Sequence, residues 1–211
     1  LLKKNGFNVP QGKLCLDKVT SNDLGSLNFP VALKMVSSKI LHKTELNAVV
    51  LNIESDFELG ASVKNMRSLV SKKAPNLVSN RYLIEEMANA PLAELIVGIR
   101  SDSQFGLSLT IGSGGILVDL ISDVSTILLP THSGEIREAI KNLKVFKLLD
   151  GFRGKPKVKL EVVVDAIMKL VIFAEENINL ISEIEINPMF VYEDSVQMVD
   201  ALIYAFDTYD T

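Results

Sequence analysis

Between Arg81 and Ile111 the runs RYLIEEM, ELIVGI and LSLTI succeed one another, separated only by the loop around NAPLA and the turn at SDSQF. Parallel neighbours need a crossover of about a dozen residues or more, so gaps this short fit antiparallel connections better than crossover helices. The same rhythm closes the chain, where EIEINPMFVY and VQMVDALI meet across Glu193-Asp194-Ser195. The first third reads as short α/β units instead. Residues Leu1 to Asn5 look like the end of a helix stopped by Gly6, and VALKMV and AVVLNI read as strands. Between Asp56 and Leu69 a helix places Leu59, Val63 and Met66 on one side, with Asp56 as its cap and Pro75 beyond its end. Ser133 is a cap for a second helix carrying Ile136, Ile140 and Leu143. The stretch Glu161 to Glu176 is a third, although Val162-Val163-Val164 resists helix formation. It is apolar on nearly every side, which requires heavy burial or a domain packed against it. The expectation is an α+β (α/β) chain with two subdomains, residues 1–78 and 79–211, built on mainly antiparallel sheets with flanking helices.

Composition narrows the function. The 211 residues carry 22 Lys and Arg against 26 Asp and Glu, a net charge of −4. An acidic chain does not grip nucleic acid with its whole surface. With one Cys and two His, neither an internal disulfide framework nor a Cys/His zinc cluster can be built. A lone Cys15 fits a reducing, cytoplasmic compartment. The most apolar stretch, around Val162 to Ala174, is interrupted by Asp165 and Lys169, so no membrane span is expected. The chain opens LLKKNGFNVP, without an initiator Met, and reads as a piece of a longer polypeptide that works with a partner domain.

Four places carry chemistry. Lys34 stands between Leu33 and Met35 in an apolar strand, either as an edge residue or as a fixed ammonium for phosphate. His42-Lys43-Thr44 gathers an imidazole, a second cation and a hydroxyl, which suits a solvated loop, phosphate binding or phosphotransfer through a ring nitrogen. Gly112-Ser113-Gly114-Gly115 can present backbone N–H groups to phosphate or turn a tight hairpin, and it matches neither a P-loop nor a dinucleotide fingerprint. In the last hairpin, a two-residue turn at Glu193-Asp194 pairs Tyr192 with Ser195 and carries Asn187 opposite Asp200. An amide oxygen facing a carboxylate can hold a divalent cation against phosphate, and Glu185 shares the face of Asn187. A structural Asn before Pro188, with a salt-bridged or exposed Asp200, is the other reading.

FPVALKMVSSKILHKTEL, AELIVGIRSDSQFGLSLTIGSGGILVDLISDV, LLDGFRGKP, and EIEINPMFVY followed by VDALI together resemble the ATP-grasp part of ADP-forming acyl-CoA synthetases. Acetate–CoA ligase is the best-known type, and succinyl-CoA synthetase is related. The likeness runs from about Gly6 to Ile203. It implies an ATP-grasp fold, with Lys34 on the ATP phosphates, Glu86 and Asn89 in the hinge that holds adenine, and Glu94 near the sugar and phosphates. It also implies that Gly114 and Gly115 border the nucleotide, that Asn187 and Asp200 ligate Mg²⁺, and that His42, beside the cation Lys43, relays phosphate. The principal phosphohistidine and the CoA-binding fold belong to other domains, in the same polypeptide or in a partner subunit, and the resemblance leaves room for an oligomer. The implied reaction converts ATP, a small carboxylate and CoA to ADP, phosphate and acyl-CoA. Three departures stand out: Asn47-Ala48 replaces two glycines, Ser101-Asp102-Ser103 replaces Arg-Asp-Pro, and Asp119 replaces a glutamate. The glycine loss keeps open a non-catalytic nucleotide-binding module, and the fold keeps open a ligase joining a carboxylate to an amine. Arg153, in GFRGKP, is expected to clasp carbonyls or a carboxylate as a structural clamp.

Overall fold

A computed structural model of the chain describes residues 1–16, 19, 24–37, 46–115 and 122–206. Two compact units emerge, one of residues 10–89 and one joining residues 1–9 to residues 90–211.

The first unit is a four-stranded sheet of β1 (Gly12–Leu16), β2 (Val31–Met35), β3 (Val49–Ile53) and β4 (Arg81–Glu86), ordered β1-β4-β2-β3. Every neighbouring pair is antiparallel. Helix α1 (Asp56–Lys73) and a 3₁₀ turn at Pro75–Leu77 connect β3 to β4. Leu59, Met66 and Val70 of α1 form a core with Val31, Leu33, Met35, Ile53, Tyr82 and Ile84. The cap of α1 is Ser55 rather than Asp56: the Ser55 hydroxyl accepts the Glu58 amide at 3.3 Å, and Asp56 is already helical. Strand β1 is not expected from the sequence, because only Cys15 of its five residues is buried, leaving too little alternation to read.

The second unit is a six-stranded antiparallel sheet of β5 (Ala93–Asp102), β6 (Gly106–Ser113), β7 (Val124–Leu128), β8 (Ile181–Val191), β9 (Val196–Met198) and β10 (Ala201–Ala205). The order is β10-β8-β5-β6-β7, with β9 also pairing with β8. The apolar run expected as one terminal strand is therefore two, broken at Val199-Asp200. At the β5–β6 turn, the carboxylate of Asp102 accepts the Gln104 and Phe105 amides and closes the turn. Leu95, Val97 and Ile99 of β5, Leu109 and Ile111 of β6, and Ile184 and Ile186 of β8 share a core with helices α2 (Ser133–Asn142), α3 (Phe146–Leu149) and α4 (Leu160–Glu176).

Val163, Val164, Ile167, Leu170 and Val171 of α4 are buried, and that burial overrides the poor helix propensity of its valines. Helix α2 is capped by the His132 ring, whose Nδ1 accepts the Glu135 amide at 3.3 Å, while Ser133 is its first helical residue. The opening segment docks here: Lys169 of α4 donates to the Gly6 carbonyl at 2.6 Å, and Phe7 packs edge-on against Phe173. Gly6 turns the chain at φ 72°. No helix among the described residues is long and apolar enough to cross a membrane.

Candidate functional site

In the unit of residues 10–89, Lys34 is not an edge residue. Strand β2 lies between β4 and β3, and Lys34 is 5% exposed. A buried ammonium needs a counter-charge, and Glu85 of β4 supplies it, Oε2 lying 2.6 Å from the Lys34 Nζ. In the β2–β4 register Glu85 faces Ala32, two residues before Lys34, so both side chains leave the same face of the sheet. Gly12 on β1 makes room for this pair, since a Cβ there would stand 2.7 Å from Glu85 Cγ. Glu86, one residue on, accepts both the backbone and side-chain amides of Asn28 at 2.9 and 3.0 Å. Asn89 is exposed just beyond β4.

His42 and Lys43 lie outside the described residues, as does Asp119. Asn47 and Ala48 are described. Asn47 takes φ 57°, a left-handed conformation that Asn tolerates better than most residues. Its side-chain oxygen accepts from Lys73 Nζ at 2.5 Å. Ala48 is buried at an ordinary φ, and its carbonyl accepts the Met35 amide. Neither position therefore demands glycine in this backbone.

The other unit gathers Glu94, Gly114, Gly115, Asn187 and Asp200. The turn at Glu193-Asp194 sets the register, with the Tyr192 amide donating to the Ser195 carbonyl at 2.9 Å. Met189 then pairs with Met198 and Ile186 with Ala201, which leaves Asn187 facing Asp200. The Asn187 amide donates to the Asp200 carbonyl at 3.1 Å. The Asn187 side-chain oxygen accepts the Gly115 amide at 3.0 Å, and Asp200 Oδ1 accepts the Ala201 amide. Gly114 donates to the Glu94 carbonyl at 2.8 Å. At Gly115, φ is 65°, a conformation that favours glycine, and an added Cβ would push the Glu94 carboxylate aside. Burial pushes the Glu94 carboxyl above the usual carboxylate range.

The chemistry of this set is that of hard oxygen donors beside backbone N–H groups. A carboxamide oxygen and a carboxylate facing each other across a hairpin suit Mg²⁺, and adjacent glycine amides suit phosphate. The residues present fit a magnesium-bound nucleotide.

Two partners escape the sequence reading: Glu85 and Asp123. The period of two from Lys34 through its neighbouring strand marks Glu85 only once the pairing is known. Asp123 is buried and accepts from the Ser113 hydroxyl at 2.7 Å. Arg153 is not the expected clamp: its own φ is 51°, its guanidinium lies 5.2 Å over the Phe152 ring, and among the described residues it clasps no carboxylate.

Residues 1–204 match the family model described as an ATP-grasp domain. The chain is 33% identical over 207 residues to the beta subunit of the ADP-forming acetate–CoA ligase II of Pyrococcus furiosus, covering 96% of this chain and 87% of that one. Among solved structures, the dinucleotide forming acetyl-coenzyme A synthetase 1 of Ca. Korarchaeum cryptofilum, in complex with coenzyme A, Ca-AMPCP and HgCl+, superposes with a TM-score of 0.87. Identity there is 32%, with 97% of this chain and 89% of that chain covered. A second structure of that enzyme, with coenzyme A and Mg-AMPPCP and its phosphohistidine segment pointing towards the nucleotide binding site, gives a TM-score of 0.78 at 30% identity. It covers 97% of this chain and 88% of that chain.

Proposed function

The chain belongs to the ATP-grasp family, and from that premise we propose that it is the nucleotide-binding, phosphoryl-transfer part of an ADP-forming acyl-CoA synthetase. The observation that carries this reading is the hairpin register that sets Asn187 opposite Asp200, with the Asn187 carboxamide on the Gly115 amide. Asn187 and Asp200 would hold Mg²⁺, which supplies charge neutralisation for the phosphate oxygens when bound. Lys34 adds a fixed positive charge to the phosphates, and the Glu85 carboxylate, 2.6 Å from its Nζ, holds the side chain in place. Glu86 and Asn89 hold the adenine, while Glu94, Gly114 and Gly115 border the sugar and phosphates. His42 is the residue that accepts a phosphoryl group on a ring nitrogen, with Lys43 neutralising the charge that passes.

The overall conversion is ATP, a small carboxylate and CoA to ADP, phosphate and acyl-CoA, through acyl phosphate and a phosphohistidine. CoA binding and carboxylate activation fall to a partner domain or subunit. The designation of the Pyrococcus relative as a beta subunit supports that division. A single thiol, buried at Cys15, suits a cytoplasmic setting.

The test is a titration of the full chain with ATP at fixed Mg²⁺, then phosphoryl exchange with the partner domain present. Asp200→Asn removes charge at nearly constant shape, so Mg²⁺-dependent ATP binding should weaken by about tenfold or more, as expected for a lost ionic ligand. Lys34→Ala should lower nucleotide affinity and keep the metal dependence. His42→Ala should bind Mg²⁺-ATP as the parent does and lose phosphoryl exchange. Undiminished metal-dependent binding by folded Asp200→Asn removes the cation site, and undiminished exchange by His42→Ala removes the relay.

A further inference from the structure

Asp123 touches none of the residues assigned to the nucleotide, yet it is a buried carboxylate, 7% exposed, with its bonds directed at two places. One is the glycine loop. The main-chain oxygen of Asp123 accepts the Ser113 amide at 2.9 Å, and its Oδ2 accepts the Ser113 hydroxyl at 2.7 Å. The other is the junction between α2 and α3, where Oδ1 accepts the Lys144 amide at 2.7 Å and Oδ2 the Val145 amide at 2.9 Å. The approach is close enough that a Cβ on Gly112 would lie 2.5 Å from the Asp123 carbonyl oxygen. Ser113 is itself 5% exposed and leads directly into Gly114 and Gly115. Those two glycines are tied onward to the Glu94 carbonyl and the Asn187 carboxamide. The loop is thus pinned on one side by an ionised acceptor and on the other by the side-chain oxygen of Asn187.

We propose that Asp123 is a positioning residue for nucleotide binding: through the Ser113 hydroxyl it fixes the Gly114–Gly115 turn so that the Gly115 amide orients the Asn187 oxygen. This rests on the reading of Asn187 and Asp200 as the cation site. A carboxylate suits the task because a charged acceptor makes shorter and stronger bonds than a neutral one. It also serves three donors at once, one from the loop and two from the helical layer. Asp123 thereby ties the end of β6 to the helical layer as well as to the sheet.

Ser113→Ala cuts the loop arm alone and leaves the Lys144 and Val145 bonds in place. Binding of AMPPCP to the full chain should weaken about tenfold at fixed Mg²⁺, or about 1.4 kcal/mol, in the range of one charge-assisted hydrogen bond. The Mg²⁺ concentration needed for half-saturation should rise with it. Ser113→Thr keeps the hydroxyl and should restore most of the affinity. Asp123→Asn, which turns an amide N–H₂ toward its donors, should show the same loss as Ser113→Ala. Ile136→Val thins the core beneath α2 and supplies the control, lowering the melting temperature without weakening AMPPCP. Parental affinity and Mg²⁺ dependence in folded Ser113→Ala overturn the proposal, as does an equal affinity loss in Ile136→Val. Asp200→Asn measured alongside separates the two failures. If it is weakened and Ser113→Ala is not, only the positioning role falls; if neither is weakened, the cation site falls and the positioning role with it.

Discussion

At the scale of single residues, two buried carboxylates explain how charged chemistry is supported inside apolar sheets. Lys34 and Glu85 are each nearly inaccessible, with side chains 7% and 11% exposed, so neither charge is stable there alone. Glu85→Leu should destabilise the chain by about 3–5 kcal/mol, the cost of breaking a buried ion pair from one side. Adding Lys34→Met to Glu85→Leu should recover most of that loss, because the pair is then replaced rather than broken. Chemical denaturation of the four proteins closes the cycle, and additive losses would show that the two charges do not depend on each other. At Asp123, burial opposes ionisation, but the Ser113 hydroxyl and the Lys144 and Val145 amides outweigh it and hold the carboxyl below the usual carboxylate range. A depressed folded value means the folded state binds fewer protons. Its stabilisation is therefore complete above the unfolded value of about 3.9 and fades as pH falls through the folded one. The stability difference between the parent and Asp123→Asn should shrink through that acidic window and stay level above about pH 5, since both folded and unfolded Asp123 are then ionised. A difference that grew on acidification would contradict the ionised hub.

At the scale of elements, caps and turns are less sharply encoded than the segments they bound. The helix through Leu59 and Met66 is legible from its spacing, but its cap lies one residue earlier than expected, at Ser55. Asp56 and Ser55 are both good cap residues, and only the backbone decides between them: Ser55 is extended while Asp56 is helical. Ser55→Ala should cost about 1 kcal/mol, and Asp56→Ala a fraction of that, as read by thermal denaturation. The register next to the terminal turn is legible, because a two-residue turn leaves a single register and a slip by one would turn every apolar side chain outward, but the break at Val199-Asp200 is not. Strands β1 and β7 are not legible. In β7 the exposed Val124 and Leu128 and the half-buried Ile127 give no clean inward face, and its edge position supplies none. The valines at the start of α4 speak against helix, and the burial of Val163 and Val164 overrules them.

At the scale of the molecule, each unit has its own core, and the residues proposed for the nucleotide fall in both. Lys34, Glu86 and Asn89 belong to residues 10–89, and Glu94, Gly114, Gly115, Asn187 and Asp200 to the other unit. Short connections made antiparallel pairing legible for β5 with β6 and for the terminal hairpin. Strand β4, also near β5 in sequence, pairs instead with β1 and β2 in the other sheet, so sequence proximity did not assign the strands to their sheets. Given a two-residue turn at Glu193-Asp194, which the structure supplies, local turn geometry propagates through a fixed period and sets Asn187 opposite Asp200. The motif order pointed to the ATP-grasp family for the same reason: residues adjacent in sequence carry their spacing with them. Partners from distant segments were decided only by the tertiary structure. Whether Lys34 was an edge cation or a buried one depended on which strands flank β2, and β4 arrives from beyond α1 to place Glu85 beside it. Whether residues 1–9 join the unit of residues 10–89 or the other one depended on Lys169, 163 residues along the chain from Gly6, and on Phe173 beside it on α4. Periodicity reports which face of an element is buried, but the identity of what buries it is a property of the packed chain.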